Sequence, residues 1–147
     1  MAISNPGTPA TKEQYFNTIN RGTGTWAQLG NIAYYELGST QFAKITGFIP
    51  WDFGTLVSIE VVCLISAADA NTDIDLAADY GGDGEAYTTH SESDAASTYA
   101  LAGGSAYNDV DISSVFSALS AGDYFGVTIT MQTAKSLRIV GVKLRYD

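Results

Sequence analysis

An all-β fold, an antiparallel jelly-roll β-sandwich of about 8–10 strands with one short helix, is the class this sequence predicts. Three observations carry that expectation. Apolar and polar residues alternate with period two in segment after segment. Turn residues recur about every 8–12 positions. One stretch alone has the spacing of an amphipathic helix.

In chain order, residues 1–22 differ from the rest. Pro6, Gly7 and Pro9 precede a polar run to "NRGTGT", the pattern of a flexible N-terminal arm holding a weakly helical "TKEQYFNTI". Residues 23–147 are expected to form the sandwich. "TWAQL", "IAYYEL" and "FAKITGF" read as short strands. In "TLVSIEVVCLIS", Val57, Ile59, Val61, Cys63 and Ile65 share one face. "DIDLAADY" turns Ile74, Leu76, Ala78 and Tyr80 one way and Asp73, Asp75, Ala77 and Asp79 the other. "EAYTTH", "STYAL" and "AYNDV" are weaker strand patterns. The helix is expected in "DISSVFSALSAG", where Ile112, Val115, Phe116 and Leu119 follow i, i+3, i+4, i+7. Asp111 or Ser113 would cap its start and Gly122 its end. "DYFGVTITMQ" then sets Phe125, Val127, Ile129 and Met131 against Tyr124, Gly126, Thr128, Thr130 and Gln132. "LRIVGVKLRY" closes the chain, with Val140, Val142, Leu144 and Tyr146 expected inside and Lys143 and Arg145 outside. A one-helix crossover before the last two strands suits a jelly roll, and the cysteine pair and core tryptophan of an immunoglobulin sandwich are missing.

A chain of 147 residues buries roughly 68–70% of its unfolded surface, enough for one self-supporting core. The longest apolar run, "VVCLI", is far short of the ~20 residues of a membrane helix, so no membrane is expected. No basic, apolar leader opens the sequence, which predicts folding in a cytoplasm. One cysteine, Cys63, excludes an internal disulfide framework and reads as a small core hydrophobe. The net charge is −9. Thirteen acids and no Lys or Arg lie between Ile45 and Ala134, while four of the seven basic residues crowd the last thirteen positions. Nucleic acid is therefore not an expected partner, because phosphate binding rests on clustered cations; a basic or mixed protein partner is.

Chemistry is sparse. His90 lies in "TTHSESDAAS", but Ser, His and Asp near one another in sequence make no triad without geometry, and no catalytic residue is assigned. Asp69, Asn71 and Asp73 begin like a calcium loop, yet Ile74 stands where that loop needs Gly and Tyr80 where it needs Glu. A looser calcium site around Asp83 and Glu85 is the one alternative; no metal or cofactor is otherwise expected. "YGGDGE" has no following helix or Lys with which to cradle phosphate. Nine Tyr, six Phe and two Trp supply interface anchors instead. Tyr34 and Tyr35 on opposite strand faces and Trp51 and Phe53 on a loop are the aromatic candidates; Arg138, Lys143 and Arg145 are the basic ones.

The block from Gly47 to Tyr146, in particular "VDISSVFSALSAGDYFGVTIT" and "RIVGVKLRY", resembles jelly-roll domains of tailed-bacteriophage virion proteins, such as capsid decoration proteins and fibre tips. Its ending is similar to tumour-necrosis-factor-like and complement-head jelly rolls. The resemblance implies a non-enzymatic capsid decoration (cement) protein on the virion surface, a homotrimer bound to the major capsid protein or another virion protein. The alternative is a tail- or fibre-associated receptor- or carbohydrate-binding module. An exposed pair of aromatics flanked by Asn, Asp or Gln in one groove would favour that alternative.

Overall fold

Alternation becomes a two-layer sandwich because every strand has one face to bury and the two sheets bury theirs against each other. The computed structural model describes residues 11–17 and 19–147. Among these, twelve strands form: β1 (Lys12–Phe16), β2 (Ile19–Gly22), β3 (Thr25–Leu29), β4 (Ile32–Leu37), β5 (Phe42–Phe48), β6 (Leu56–Ile65), β7 (Asp69–Gly81), β8 (His90–Asp94), β9 (Thr98–Leu101), β10 (Asn108–Asp111), β11 (Tyr124–Met131) and β12 (Leu137–Tyr146). The first sheet runs β10-β6-β12-β4-β3, with β1 also on β12; the second runs β2-β5-β11-β7-β8, with β9 also on β7. All pairings are antiparallel. The fold is an antiparallel jelly-roll β-sandwich.

The core lies between the layers. From the second sheet come Phe125, Val127, Ile129 and Met131 of β11 and Ile74, Leu76, Ala78 and Tyr80 of β7, all buried. Their register sets Val127 beside Ala78 and Ile129 beside Leu76, so the odd positions of β11 share a face with the even positions of β7. Ile59, Val61, Cys63 and Ile65 of β6 and Val142 and Leu144 of β12 meet them from the first sheet. Burying each such aliphatic chain contributes about 1.5–3 kcal/mol. Burial also pushes the Cys63 thiol up to about 12, which leaves it protonated and inert.

Several expectations need correction. The helix is a single 3-10 turn, Ser113–Val115. Ile112, Val115 and Phe116 are buried as the spacing requires, and Asp111 Oδ1 accepts the Ser113 amide at 2.8 Å. The helix stops there because the next amides go elsewhere: Ser117 donates to Glu92 Oε2 at 3.0 Å and Ala118 to the Tyr80 hydroxyl at 3.0 Å. In β12 a register shift between Ile139 and Gly141 reverses the face mid-strand. Leu137 and Ile139 therefore point inward before the shift, and Val140, expected inside, is half-exposed. Val57 is exposed rather than core.

The segment "EAYTTH" is turn, and the strand begins at its last residue, His90. Of the expected arm, residues 1–10 lie outside the described residues. Lys12–Phe16 is a strand and not a weak helix, in register with Tyr146–Val142. Ile19–Gly22 pairs with β5.

Candidate functional site

Period two sends the even residues of β5 and β11 and the odd residues of β7 to the outer face of the second sheet. Register then assembles two rows across it. One runs Thr46, Gly126, Asp79, Ser91; the next runs Phe48, Tyr124, Gly81. A row with glycine at its centre, beside a row of aromatics, makes a depression. The cleft there has a volume of about 740 Å³; Phe48, Tyr124, Tyr87, Asp79, Glu85 and Gly126 line it from the outer face, and it reaches Phe16 and Phe125 on the core side. That volume is within the usual size of small-ligand sites, roughly 300–1,000 Å³.

The walls are fixed from outside the sheet. Tyr87 stands on the loop between β7 and β8, where Gly82 and Glu85 close a turn: the Glu85 amide donates to the Gly82 carbonyl at 3.1 Å. The Gly82 amide returns to Glu85 Oε2 at 2.7 Å. Gly84 holds a φ of +82° there, which favours glycine. Beyond Tyr87, the Thr89 amide donates to the Ala86 carbonyl at 3.0 Å. At the other side Phe48 lies 5.1 Å from Tyr124 and 5.5 Å from Trp51, centroid to centroid. The aromatics thus continue past the cleft to Trp51.

Trp51 owes its position to the residues on either side. Phe53 is buried and faces the Tyr146 ring at 5.7 Å. Asp52 accepts Lys12 Nζ at 2.8 Å and the Tyr146 hydroxyl at 2.9 Å; those two hydrogen bonds hold its carboxyl below the usual range. The Trp51 ring lies over Gly122, where a Cβ would come within 2.4 Å of it. The outcome is an indole 75% exposed on an anchored loop, with Tyr87 at 79% and Tyr124 at 61%.

Polar groups in the cleft are oriented too. Asp79 Oδ1 accepts the Ser91 hydroxyl at 2.6 Å. Asn20 Oδ1 accepts both the amide and the hydroxyl of Thr46, at 2.8 and 2.7 Å. Held carboxylates and hydroxyls beside exposed ring faces can hydrogen-bond a polyhydroxylated ligand while packing its apolar face.

The other sequence candidates lie elsewhere. Tyr34, Tyr35 and Phe53 are buried, leaving Trp51 as the exposed one of the four aromatics. Tyr35 faces the core, whereas Tyr34 lies under the Arg138 guanidinium, 5.2 Å from its ring. Arg138 pairs with Glu36 at 3.4 Å and Arg145 with Glu13 at 3.2 Å. Lys143 meets Asp109 at 2.9 Å and Glu60 at 3.4 Å; the Asp109 hydrogen bond leads in raising its pKa. All three cations are on the first sheet, engaged within the chain.

His90 stacks on Tyr80 at 4.8 Å with 20° between the rings. Among the described residues no group of three or more His, Cys, Asp and Glu is placed to hold a metal ion. Sequence reasoning missed Phe48, Tyr87 and Asp79 as site residues. It placed Tyr124 and Gly126 on an outward face, and an outward glycine beside an outward tyrosine was the one signal available.

No protein-family model matches this chain, and none of the curated proteins does. Among solved structures it is similar to a family two carbohydrate esterase from Cellvibrio japonicus, with a TM-score of 0.50 and 13% identity over 94% of this chain and 34% of that one. It is also similar to TmCBM61, solved in complex with β-1,4-galactotriose, with a TM-score of 0.40 and 10% identity over 93% of this chain and 88% of that one. The chain spans about a third of the esterase's length. At such identity the likeness to the esterase concerns architecture alone, and that architecture is the jelly-roll β-sandwich.

Proposed function

We propose that this chain is a carbohydrate-binding module whose ligand lies in the cleft on the outer face of the second sheet. The observation that carries the reading is the anchored set of exposed aromatics, Tyr124, Tyr87 and Trp51 around Phe48, beside the oriented Asp79–Ser91 pair. A pyranose ring has an apolar face and a rim of hydroxyls. The face desolvates against tyrosine or tryptophan, and the rim exchanges water for Asp79, Ser91 and Thr46. Because the Tyr124 and Trp51 rings pack on Phe48 and the Asp79 carboxylate is hydrogen-bonded, part of the ordering cost of binding is already met. The role proposed is recognition without turnover. That a carbohydrate esterase shares the architecture agrees with this reading but does not carry it.

The capsid-decoration expectation came from the resemblance, with four aromatics and three cations as its interface candidates. Tyr34, Tyr35 and Phe53 are buried, and Arg138, Lys143 and Arg145 are ion-paired, so the surface favours the cleft. The test is native-gel retardation of the purified chain by soluble polysaccharides. At least one should retard it, and Tyr124→Ala should weaken that retardation about tenfold, near 1.4 kcal/mol. An unretarded wild-type chain, or full retardation of Tyr124→Ala, counts against the reading.

A further inference from the structure

Resting on the carbohydrate-binding reading, we infer that the cleft selects by charge, taking an uncharged glycan and rejecting one that bears uronate or sulfate groups. The cleft contains two carboxylates, Asp79 and Glu85, and no Lys or Arg among the residues that line it. From Ile45 to Ala134 the chain has no Lys or Arg at all. Those residues include all of β7, β8 and β11, so three of the strands behind the cleft contribute no cation. β5 brings Lys44, one row along the same face, and β2 sets the exposed Arg21 in register with it, neither of them lining the cleft. Lys44 Nζ donates to Thr128 Oγ1 at 2.9 Å and lies over the Phe42 ring at 5.6 Å, so it is already engaged there.

An anionic sugar ring seated on Tyr124 would meet like charge with no opposite charge among the lining residues to offset it. Such a contact lowers affinity, because repulsion acts at short range in a partly desolvated site where salt screens least. A neutral hydroxymethyl group in the same position has no such cost and can donate to either carboxylate. The cleft carboxylates therefore act as acceptors toward the correct ligand and as an exclusion device toward the wrong one.

Matched ligands test this. Native-gel retardation at 150 mM salt uses β-1,4-galactan, glucomannan and laminarin, each in its native form and after oxidation of C6 hydroxymethyl groups to carboxylates. At least one native polysaccharide should retard the chain, and its oxidised form should do so at least tenfold less. In Asp79→Asn/Glu85→Gln that ratio should shrink at least threefold, whatever happens to native binding. In Asp69→Asn/Asp109→Asn, which removes the same net charge away from the cleft, it should hold. Circular dichroism confirms folding of each variant, and the wild-type ratio stands as a test without either. Equal or better retardation by the oxidised form overturns charge selection and leaves the carbohydrate reading intact. An equal shift in the two double variants also overturns it, by assigning the effect to overall charge. Retardation by none of the native polysaccharides removes both readings.

Discussion

Gly126 occupies an outward position in the middle of β11, where a Cβ would meet the Thr46 methyl group at 3.7 Å and little else. Valine there suits a strand and fills the centre of the cleft without touching the core. Gly126→Val should abolish glycan binding and move the melting midpoint by no more than a few degrees; calorimetry on the same samples checks both. Phe53 predicts the opposite pattern. It is buried against Tyr146, so Phe53→Ala should cost about 3 kcal/mol by chemical denaturation. Trp51, one of the most exposed aromatics of the chain, should cost well under that when cut to alanine, while weakening retention by long polysaccharides. These residues are two positions apart in sequence and differ in what they face, which no local pattern around them announced.

Among the elements, the 3-10 turn and the segment after it are latched to the second sheet by two acids of β8: Asp94 Oδ2 accepts the Ser114 hydroxyl at 2.9 Å, and Glu92 holds the segment that follows. Glu92 accepts the Tyr80 hydroxyl and the Ser117 amide, and the Tyr80 oxygen accepts Ala118. Burial raises the Glu92 carboxyl, but the hydrogen bonds from Tyr80 and Ser117 outweigh it and hold it below the usual carboxylate range. A lowered native pKa means that ionised Glu92 stabilises the fold at and above the ordinary carboxylate pKa. That contribution fades as pH falls through the native value. Glu92→Gln should therefore lower stability by roughly 1 kcal/mol at pH 7, and the gap to wild type should narrow at acid pH in pH-resolved denaturation.

The same latch explains what was legible in the sequence. Strand faces in β7 and β11 followed from alternation because each has one buried and one outward side. The helix spacing found the right buried residues, Ile112, Val115 and Phe116, but not the backbone. Tyr80 and Glu92, far away in sequence, took the amides that a helix would have used. The face reversal at Ile139–Gly141 was likewise invisible, since a bulge is set by the partner strand. Of the site, the outward row of β11 was readable, whereas Phe48, Asp79 and Tyr87 join it only through register and a loop.

Across the whole molecule the two sheets divide the work. The first sheet carries Arg138, Lys143 and Arg145, whose charges are met by Glu36, Asp109, Glu60 and Glu13 on neighbouring strands. Partly exposed surface pairs of this kind contribute little each, but they leave those cations engaged at home. The second sheet turns an acidic, cation-poor face outward, and on it lie the cleft and its aromatics. Native-gel retardation of wild type and Gly126→Val by the same polysaccharide asks whether glycan binds in this cleft. Retardation of wild type that vanishes in the folded variant is the expected result. Equal mobility of the two in every polysaccharide would place any binding outside the cleft and rule it out as the glycan site.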